Sequence, residues 1–197
     1  MSDSHSEILQ ETPPSLGVEN QKLGIWVLLG SETIFFSALI VTYVVLRGRS
    51  IIGPLPKEIL NIPLTAVNTF ILICSSLTMV TALAAIQNGD IRKLRLWLSA
   101  TILLGLTFLA GQTVEFVLLA KEGLSLSVNL FGASFFTLTG FHGAHVLAGI
   151  IWMAFVLARA IRGGITQQNH ISVELAGLYW HFVDLAWIII FTVVYLI

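Results

Sequence analysis

Glu32 lies near the middle of a run of 24 residues, 23–46, that carries no other charge: LGIWVLLGSETIFFSALIVTYVVL. A transmembrane helix needs about 20 apolar residues to cross the hydrocarbon core of a bilayer, so this run predicts a membrane span. At about 1.5 Å of rise per residue, Glu32 lies close to the centre of that core. An ionised carboxylate there costs at least ~2.5–3.5 kcal/mol on insertion scales. We therefore expect Glu32 to have a partner or a function.

The composition also indicates an integral membrane protein. Of the 197 residues, 56% are hydrophobic and 11% are charged, whereas roughly 25% are charged in a soluble domain. The formal net charge of −1 gives no support to nucleic-acid binding, which needs a clustered basic surface. Cys74 is the only cysteine, so a disulfide framework and a four-cysteine metal site are both excluded.

Five apolar runs predict an all-α integral membrane bundle of five transmembrane helices. The connectors between them are short, and they leave no room for a second folded domain. Residues 1–22 are polar and acidic and lack the apolar core of a signal peptide. We expect them to form a short arm before one transmembrane domain, residues 23–197. The predicted spans cover about residues 23–46, 62–86, 96–120, 130–157 and 175–197.

The basic residues near the span ends predict the orientation of the bundle. Five spans place the termini on opposite sides, and the basic residues divide six to four in favour of the side with the N-terminal arm. Because Lys and Arg are enriched in cytoplasmic loops, we expect a cytoplasmic N-terminus and a periplasmic, or outside, C-terminus. Aromatic residues nearer the span ends, including Tyr43 and Trp180, are expected at the membrane–water interface. The six basic residues are Lys22, Arg92, Lys93, Arg95, Arg159 and Arg162.

The spans contain more ionisable groups than Glu32. Polar side chains inside a membrane bundle commonly form hydrogen bonds between helices, and we expect such contacts here. The pairs His142/His145 and His181/Asp184 each have a spacing of three, so each pair shares a helix face. Their depths predict a cluster of Glu32, His145, His181 and Asp184, with Glu115 apart. The full set beside Glu32 is Glu115, His142, His145, Glu174, His181 and Asp184.

Two functional alternatives apply to this polar set. His and carboxylates are metal ligands, but a di-iron bundle requires two Glu-x-x-His motifs, and the chain has none. Intramembrane carboxylates also form proton relays, but Glu115 is the only acidic residue predicted for the outer half. We therefore expect neither a metal site nor a complete proton path. A free-standing proton-coupled transporter is the alternative from a different class.

Four strings in the sequence resemble one family, subunit III of the cytochrome c oxidases. WVLLGSETIFF, residues 26–36, resembles the helix that carries the buried, carbodiimide-reactive glutamate of that family, and Glu32 is the matching position. TGFHGAHV, residues 139–146, looks like its TGFHGxHV signature, and ELAGLYWHFVDLAW, residues 174–187, is similar to its ExxxxYWHFVDxxW segment. Gln112 and Glu115 fit its Q-x-x-E pattern. The four strings follow the family order.

The resemblance implies a non-redox accessory subunit of a respiratory haem-copper oxidase. Such a subunit carries no haem or copper and no catalytic residue; it is bound to the catalytic subunit I in a complex that also contains subunit II. It supports proton uptake and stability of subunit I and holds structural phospholipids. Glu32 would be the buried functional carboxylate, facing subunit I or an oxygen route, and Arg159 would bind a lipid head group. The matching polar interhelical positions are Glu115, His142, His145, Glu174, His181 and Asp184.

The five predicted helices resemble the short bacterial form of this family, which implies a multi-pass protein of the bacterial inner (plasma) membrane. The long form has seven helices, and its first two form one wall of a lipid-filled cleft. Without them, the lipid sites must be remodelled or walled by another subunit. Glu at position 32, instead of the Asp associated with quinol oxidases, favours the cytochrome c branch. A quinol oxidase subunit and a relative that accompanies nitric oxide reductases are the alternatives.

Overall fold

The computed structural model describes residues 20–49 and 61–197, and these residues form five long helices and no strand. All five are long and apolar enough to cross a membrane, which confirms the all-α, five-helix prediction. Residues 1–19 of the predicted arm lie outside the described residues, and the sidedness of the termini stays a prediction. The helices are α1 (Asn20–Leu46), α2 (Ile62–Gln87), α3 (Ile91–Lys121), α4 (Leu130–Ile161) and α5 (Ile171–Phe191), which a π-helical turn, Thr192–Leu196, extends.

Side-chain caps, and not the ends of the apolar runs, determine where two of the helices begin. We predicted the third span from about residue 96, but α3 begins at Ile91 because the Asp90 carboxylate accepts a hydrogen bond from the Lys93 backbone N–H at 3.0 Å. Asn61 caps α2 in the same way, at 3.1 Å from the Leu64 nitrogen. Hydropathy marks the hydrocarbon layer, whereas the helix ends where its free backbone groups find other partners.

The short link between α2 and α3 makes these two helices an antiparallel hairpin. Gly89, within this link, has a φ of 78°, a left-handed conformation that glycine adopts without steric cost. Gln167, from the segment between α4 and α5, donates a hydrogen bond to the Gln87 carbonyl at 2.7 Å. The link is therefore fixed at the same end of the bundle as the start of α5.

Helix α5 is at the centre of the bundle and α1 is at its edge. Helix α5 packs against α1, α2 and α4, whereas the main contacts of α1 are with α4 and α5. The buried residues of α1 form one narrow stripe, and most of its remaining surface is exposed and apolar. A partner or lipid must cover that surface. The buried residues of α1 are Ile25, Leu29, Phe36 and Tyr43.

Trp180 of α5 joins three other helices. Its indole N–H donates to Ser75 Oγ of α2 at 3.0 Å. A Cβ on Gly105 of α3 would lie 2.7 Å from its ring, and a Cβ on Gly149 of α4 would lie 2.9 Å from it. Small residues let membrane helices approach closely, and such packing is what holds them together in lipid. The expectation that Trp180 and Tyr43 face the interface was wrong, since they are 1% and 0% exposed.

Replacing Gly149 by Ala tests this packing. The added Cβ would meet the Trp180 ring at 2.9 Å, and overpacking of a tight core costs about 1–3 kcal/mol. We expect Gly149→Ala to lower the thermal unfolding midpoint, measured by circular dichroism in mild detergent. The control is Gly30→Ala on α1, where nothing lies within 4 Å of the added Cβ. Equal midpoints for the two variants would contradict the role of Trp180.

Asp90 predicts a pH dependence at the start of α3. The hydrogen bond from the Lys93 backbone N–H, followed by that from the Lys93 side chain, lowers the pKa of Asp90 below its ordinary value of 3.8. A lowered pKa in the folded state stabilises the fold above the ordinary value, and this contribution is lost as the pH falls through the lowered one. Asp90→Asn keeps the cap acceptor but does not titrate.

We therefore expect wild type to unfold at a higher temperature than Asp90→Asn at neutral pH. This difference should close as the pH falls below 3.8, the ordinary pKa of the carboxyl. Thermal melts of both proteins across the acid range measure it. A difference that does not change with pH would show that the charge of Asp90 does not stabilise the fold.

Candidate functional site

Glu32 of α1 and His145 of α4 form a polar pair near the middle of both helices. Glu32 Oε2 lies 3.0 Å from His145 Nε2. The other ring nitrogen, Nδ1, lies 2.7 Å from the Phe141 carbonyl oxygen. Since a carbonyl oxygen only accepts, Nδ1 carries a proton. The contact between Nε2 and Glu32 therefore contains one proton, donated either by a neutral carboxyl group or by an imidazolium ring.

The pair is not sealed inside the bundle. The side chains of His145 and Glu32 are 19% and 23% exposed. Phe36 packs on the ring of His145 from the inside, with centroids 5.0 Å apart. Phe35 and Phe141 contact each other at 5.3 Å beside the pair, and both are exposed. A polar, proton-bearing contact with an aromatic rim therefore faces outward from α1 and α4 at mid-depth.

A second polar cluster lies between α2 and α5. Ser76 Oγ is 3.0 Å from His181 Nδ1, and the Asp184 carboxyl lies beside both groups. Tyr179, on another side of α5, donates to the His145 carbonyl at 3.2 Å. The predicted cluster of Glu32, His145, His181 and Asp184 is therefore divided: α5 separates its two halves.

Glu115 belongs to a third site, near the C-terminal end of α5. Its Oε1 accepts hydrogen bonds from the hydroxyl groups of Thr65 and Tyr195, each at 2.9 Å. Arg47, at the end of α1, donates to the Val193 carbonyl at 3.1 Å. These contacts connect α1, α2 and α3 to the π-helical turn, so they hold the end of the bundle together.

Two of the candidate residues lie at the opposite end. Glu174, in the first turn of α5, pairs with Lys22 of α1 at 2.9 Å. Arg159 is exposed in the last turn of α4. Its side chain makes no hydrogen bond or ion pair with another described residue, so the guanidinium group faces outward. Neither residue lies near the Glu32–His145 pair.

His142 differs from the other buried candidates because neither of its ring nitrogens has a hydrogen-bond partner within the described residues. Its ring is 0% exposed. It stacks on Trp187 with centroids 4.7 Å apart and meets Phe108 edge-on at 5.8 Å. An unpaired buried polar group costs about 1–3 kcal/mol. The stacking explains where the ring lies, but not why it is a histidine.

The hydroxyl partners of these ionisable groups were not found by sequence analysis. Ser76, Thr65 and Tyr195 make the contacts described above, but Ser and Thr are ordinary residues in membrane helices because their hydroxyls can bond the preceding turn. The only sequence feature that Ser76 and Thr65 have in common is that both lie on α2. Among residues 20–49 and 61–197, no group of three His, Cys, Asp or Glu side chains is arranged to hold a metal ion.

Substitutions of Glu32 test its pairing with His145. Glu32→Gln should leave the bundle intact, because the amide can donate to His145 Nε2. Glu32→Leu leaves that nitrogen without a partner and should cost about 1–3 kcal/mol. Thermal unfolding in mild detergent measures both effects.

The control is a double-mutant cycle with His145→Leu. If the two side chains pair, the second substitution should cost less than it does alone, with a coupling of about 0.5–3 kcal/mol. Additive effects of the two substitutions would show that the contact contributes nothing to stability.

Comparison with known proteins identifies a family that covers most of this chain. The sequence model of the family described as cytochrome c oxidase subunit III matches residues 14–197. Cytochrome c oxidase subunit 3 of Bacillus sp. (strain PS3) is 38% identical over 186 residues, 94% of this chain and 90% of the relative. Quinol oxidase subunit 3 of Bacillus subtilis (strain 168) is 40% identical over 174 residues, 88% of this chain and 85% of the relative.

A third relative comes from another bacterial group. Cytochrome bo(3) ubiquinol oxidase subunit 3 of Pseudomonas aeruginosa (strain PAO1) is 39% identical over 177 residues, 90% of this chain and 85% of the relative. The family match over residues 14–197 includes all five helices. The chain is therefore a multi-pass membrane protein that belongs to the cytochrome c oxidase subunit III family, the accessory subunits of haem-copper oxidases.

Proposed function

We propose that this chain is the non-redox subunit III of a bacterial terminal oxidase and that the face formed by α1 and α4 meets the catalytic subunit I. Subunit II belongs to the same complex, and haem and copper are carried by these partners. The observation that carries the proposal is the Glu32–His145 pair, which is polar, near mid-depth and partly exposed.

The exposure of this pair favours a protein partner over lipid. Acyl chains offer no hydrogen bonds, and polar groups at the bilayer centre are costly unless they face protein or water. The neighbouring surface of α1 is broad and apolar, with Ile34 74% and Val27 66% exposed. Such a surface packs equally well against lipid or another helix, so the polar pair is what distinguishes this face.

The pair also supports a role in the proton supply of subunit I rather than a proton path of its own. One proton lies between Glu32 and His145. The cluster with His181 is on another side of α5, and Glu115 is at one end of the bundle. The described residues thus contain no continuous chain of polar groups between these sites. A proton at Glu32 is exchanged with a group outside this chain.

The proposed donor of the complex is cytochrome c. The support for cytochrome c is the glutamate at position 32, because the quinol oxidases of this family are associated with aspartate there. The relatives include subunits named for both donors, at 38% and 40% identity, so overall similarity does not choose between them. Because quinol oxidase subunits are equally similar to this chain, quinol is the second candidate for the electron donor.

Structural phospholipid and orientation complete the proposal. Arg159 faces outward in the last turn of α4, and Arg162 follows this helix at the same end. Guanidinium groups bind phosphate well, which supports a lipid head group there. This end also carries Arg92 and Lys93, so we propose that it lies on the cytoplasmic side of the bacterial inner membrane.

Affinity purification from native membranes in mild detergent tests the proposed function. We expect the tagged chain to co-purify with a larger subunit and to show haem a bands in a reduced-minus-oxidised spectrum. Bands of b- and o-type haem would assign the quinol branch instead. A pure, colourless protein would overturn the subunit assignment and favour a free-standing transporter.

A substitution on the proposed face tests where subunit I binds. Phe141→Ala, beside the Glu32–His145 pair, should reduce the recovered haem several-fold, since Phe141 is 47% exposed in the isolated chain. Phe70→Ala is the matched control on α2, where the ring is 66% exposed. Equal losses from both variants, or none from Phe141→Ala, would contradict the proposed face.

A further inference from the structure

We propose that His142 and Gln112 form an internal water-binding site in the middle of the bundle. Both side chains are buried, and three of their polar atoms have no hydrogen-bond partner within the described residues: His142 Nδ1, His142 Nε2 and Gln112 Oε1. The proposal concerns the interior of this chain and does not rest on the proposed function.

The chemistry of imidazole demands partners for both nitrogens. A neutral ring carries one N–H donor and one acceptor lone pair, and a protonated ring carries two donors. Trp187 stacks on the ring at an interplanar angle of 28°, so its indole faces the π surface of His142 and not the nitrogens. Phe108 is perpendicular to the ring at 88°. An N–H directed at its face would be a weak contact and would leave the second nitrogen unpaired.

Gln112, on α3, places an unpaired acceptor oxygen beside the turn of α4 that carries His142. Its Nε2 donates to the Thr139 carbonyl at 2.7 Å. Its Oε1 would lie 3.0 Å from a Cβ on Gly143, the residue after His142. Gln112 and Phe108 are one turn apart on α3, so the helix that packs on the His142 ring also supplies the amide oxygen. A Cβ at position 143 would crowd this oxygen.

Water is the ligand class that fits these atoms. One water donates to Gln112 Oε1 and to the unprotonated ring nitrogen, and a second water accepts from the ring N–H, which points in a different direction. Buried waters typically have two to four polar partners. A partner from another chain does not reach the ring, because His142 is 0% exposed. A single histidine with an amide oxygen does not make a metal site, and no third ligating side chain joins them among the described residues.

Radiolytic hydroxyl-radical labelling of the full chain, purified from native membranes in mild detergent with whatever subunits accompany it, tests the proposal, because radicals formed from a bound water attack the side chains around it. Trp187 and Trp180 provide a matched pair. Each is 1% exposed, and each indole N–H donates to one hydroxyl group, of Thr69 and Ser75 respectively. We expect Trp187 and His142 to be labelled several-fold faster than Trp180. Equally slow labelling of Trp187 and Trp180 would overturn the proposal.

A second variant identifies the atoms that hold the water. His142→Phe keeps a ring in the same place and removes both nitrogens. The rate of Trp187 labelling should then fall to that of Trp180, while the Trp180 rate stays the same. Fast labelling of Trp187 that persists in this variant would place the water elsewhere and overturn the assignment to His142. The wild-type comparison decides the presence of water even if the variant does not assemble.

Discussion

Close packing around Trp180 is the constraint on which the rest of the bundle depends. Lipid tails are as apolar as the helix surfaces, so the hydrophobic effect does not drive the helices together. They associate through close contact and hydrogen bonds instead. Gly105 and Gly149 provide the close contact, and Ser75 provides the hydrogen bond. With α2, α3 and α4 gathered around one side chain, the polar residues of α5 point in fixed directions. The separation of the two polar clusters follows from this geometry.

The polar groups lie in three separate sites, and this division suits an accessory role. Glu32 and His145 share one proton near the outer surface of α1 and α4, whereas His181 faces Ser76 on another side of α5. Glu115 accepts from two hydroxyl groups near one end of the bundle. A chain that moved protons alone would need these groups to be continuous. The remaining groups join helices within the bundle, and the Glu32–His145 pair is the one that lies at the outer surface of α1 and α4.

The sequence predicts the five helices because a span needs a long apolar run, and it identifies Glu32 because a mid-span charge is costly. Depth along the helices grouped His145 with Glu32, but it also grouped them with His181, because spacing along one helix says nothing about its rotation against the next. The start of α3 at Ile91 depends on the cap by Asp90, which lies outside the apolar run. Trp180 was misplaced because tryptophan is common at interfaces, and only Gly105 and Gly149 show where the ring fits.

The narrow contact stripe of α1 has a consequence for the order of assembly. Of the five helices, α1 is synthesised first, but its main contacts are with α4 and α5, which are synthesised last. Helices α2 and α3 are joined by a short link and meet as soon as both are inserted, because local contacts form fastest. Helix α1, with its costly Glu32, must wait in the bilayer for His145. Until α4 is inserted, Glu32 lies in the bilayer without His145, and a polar group there is costly without a partner.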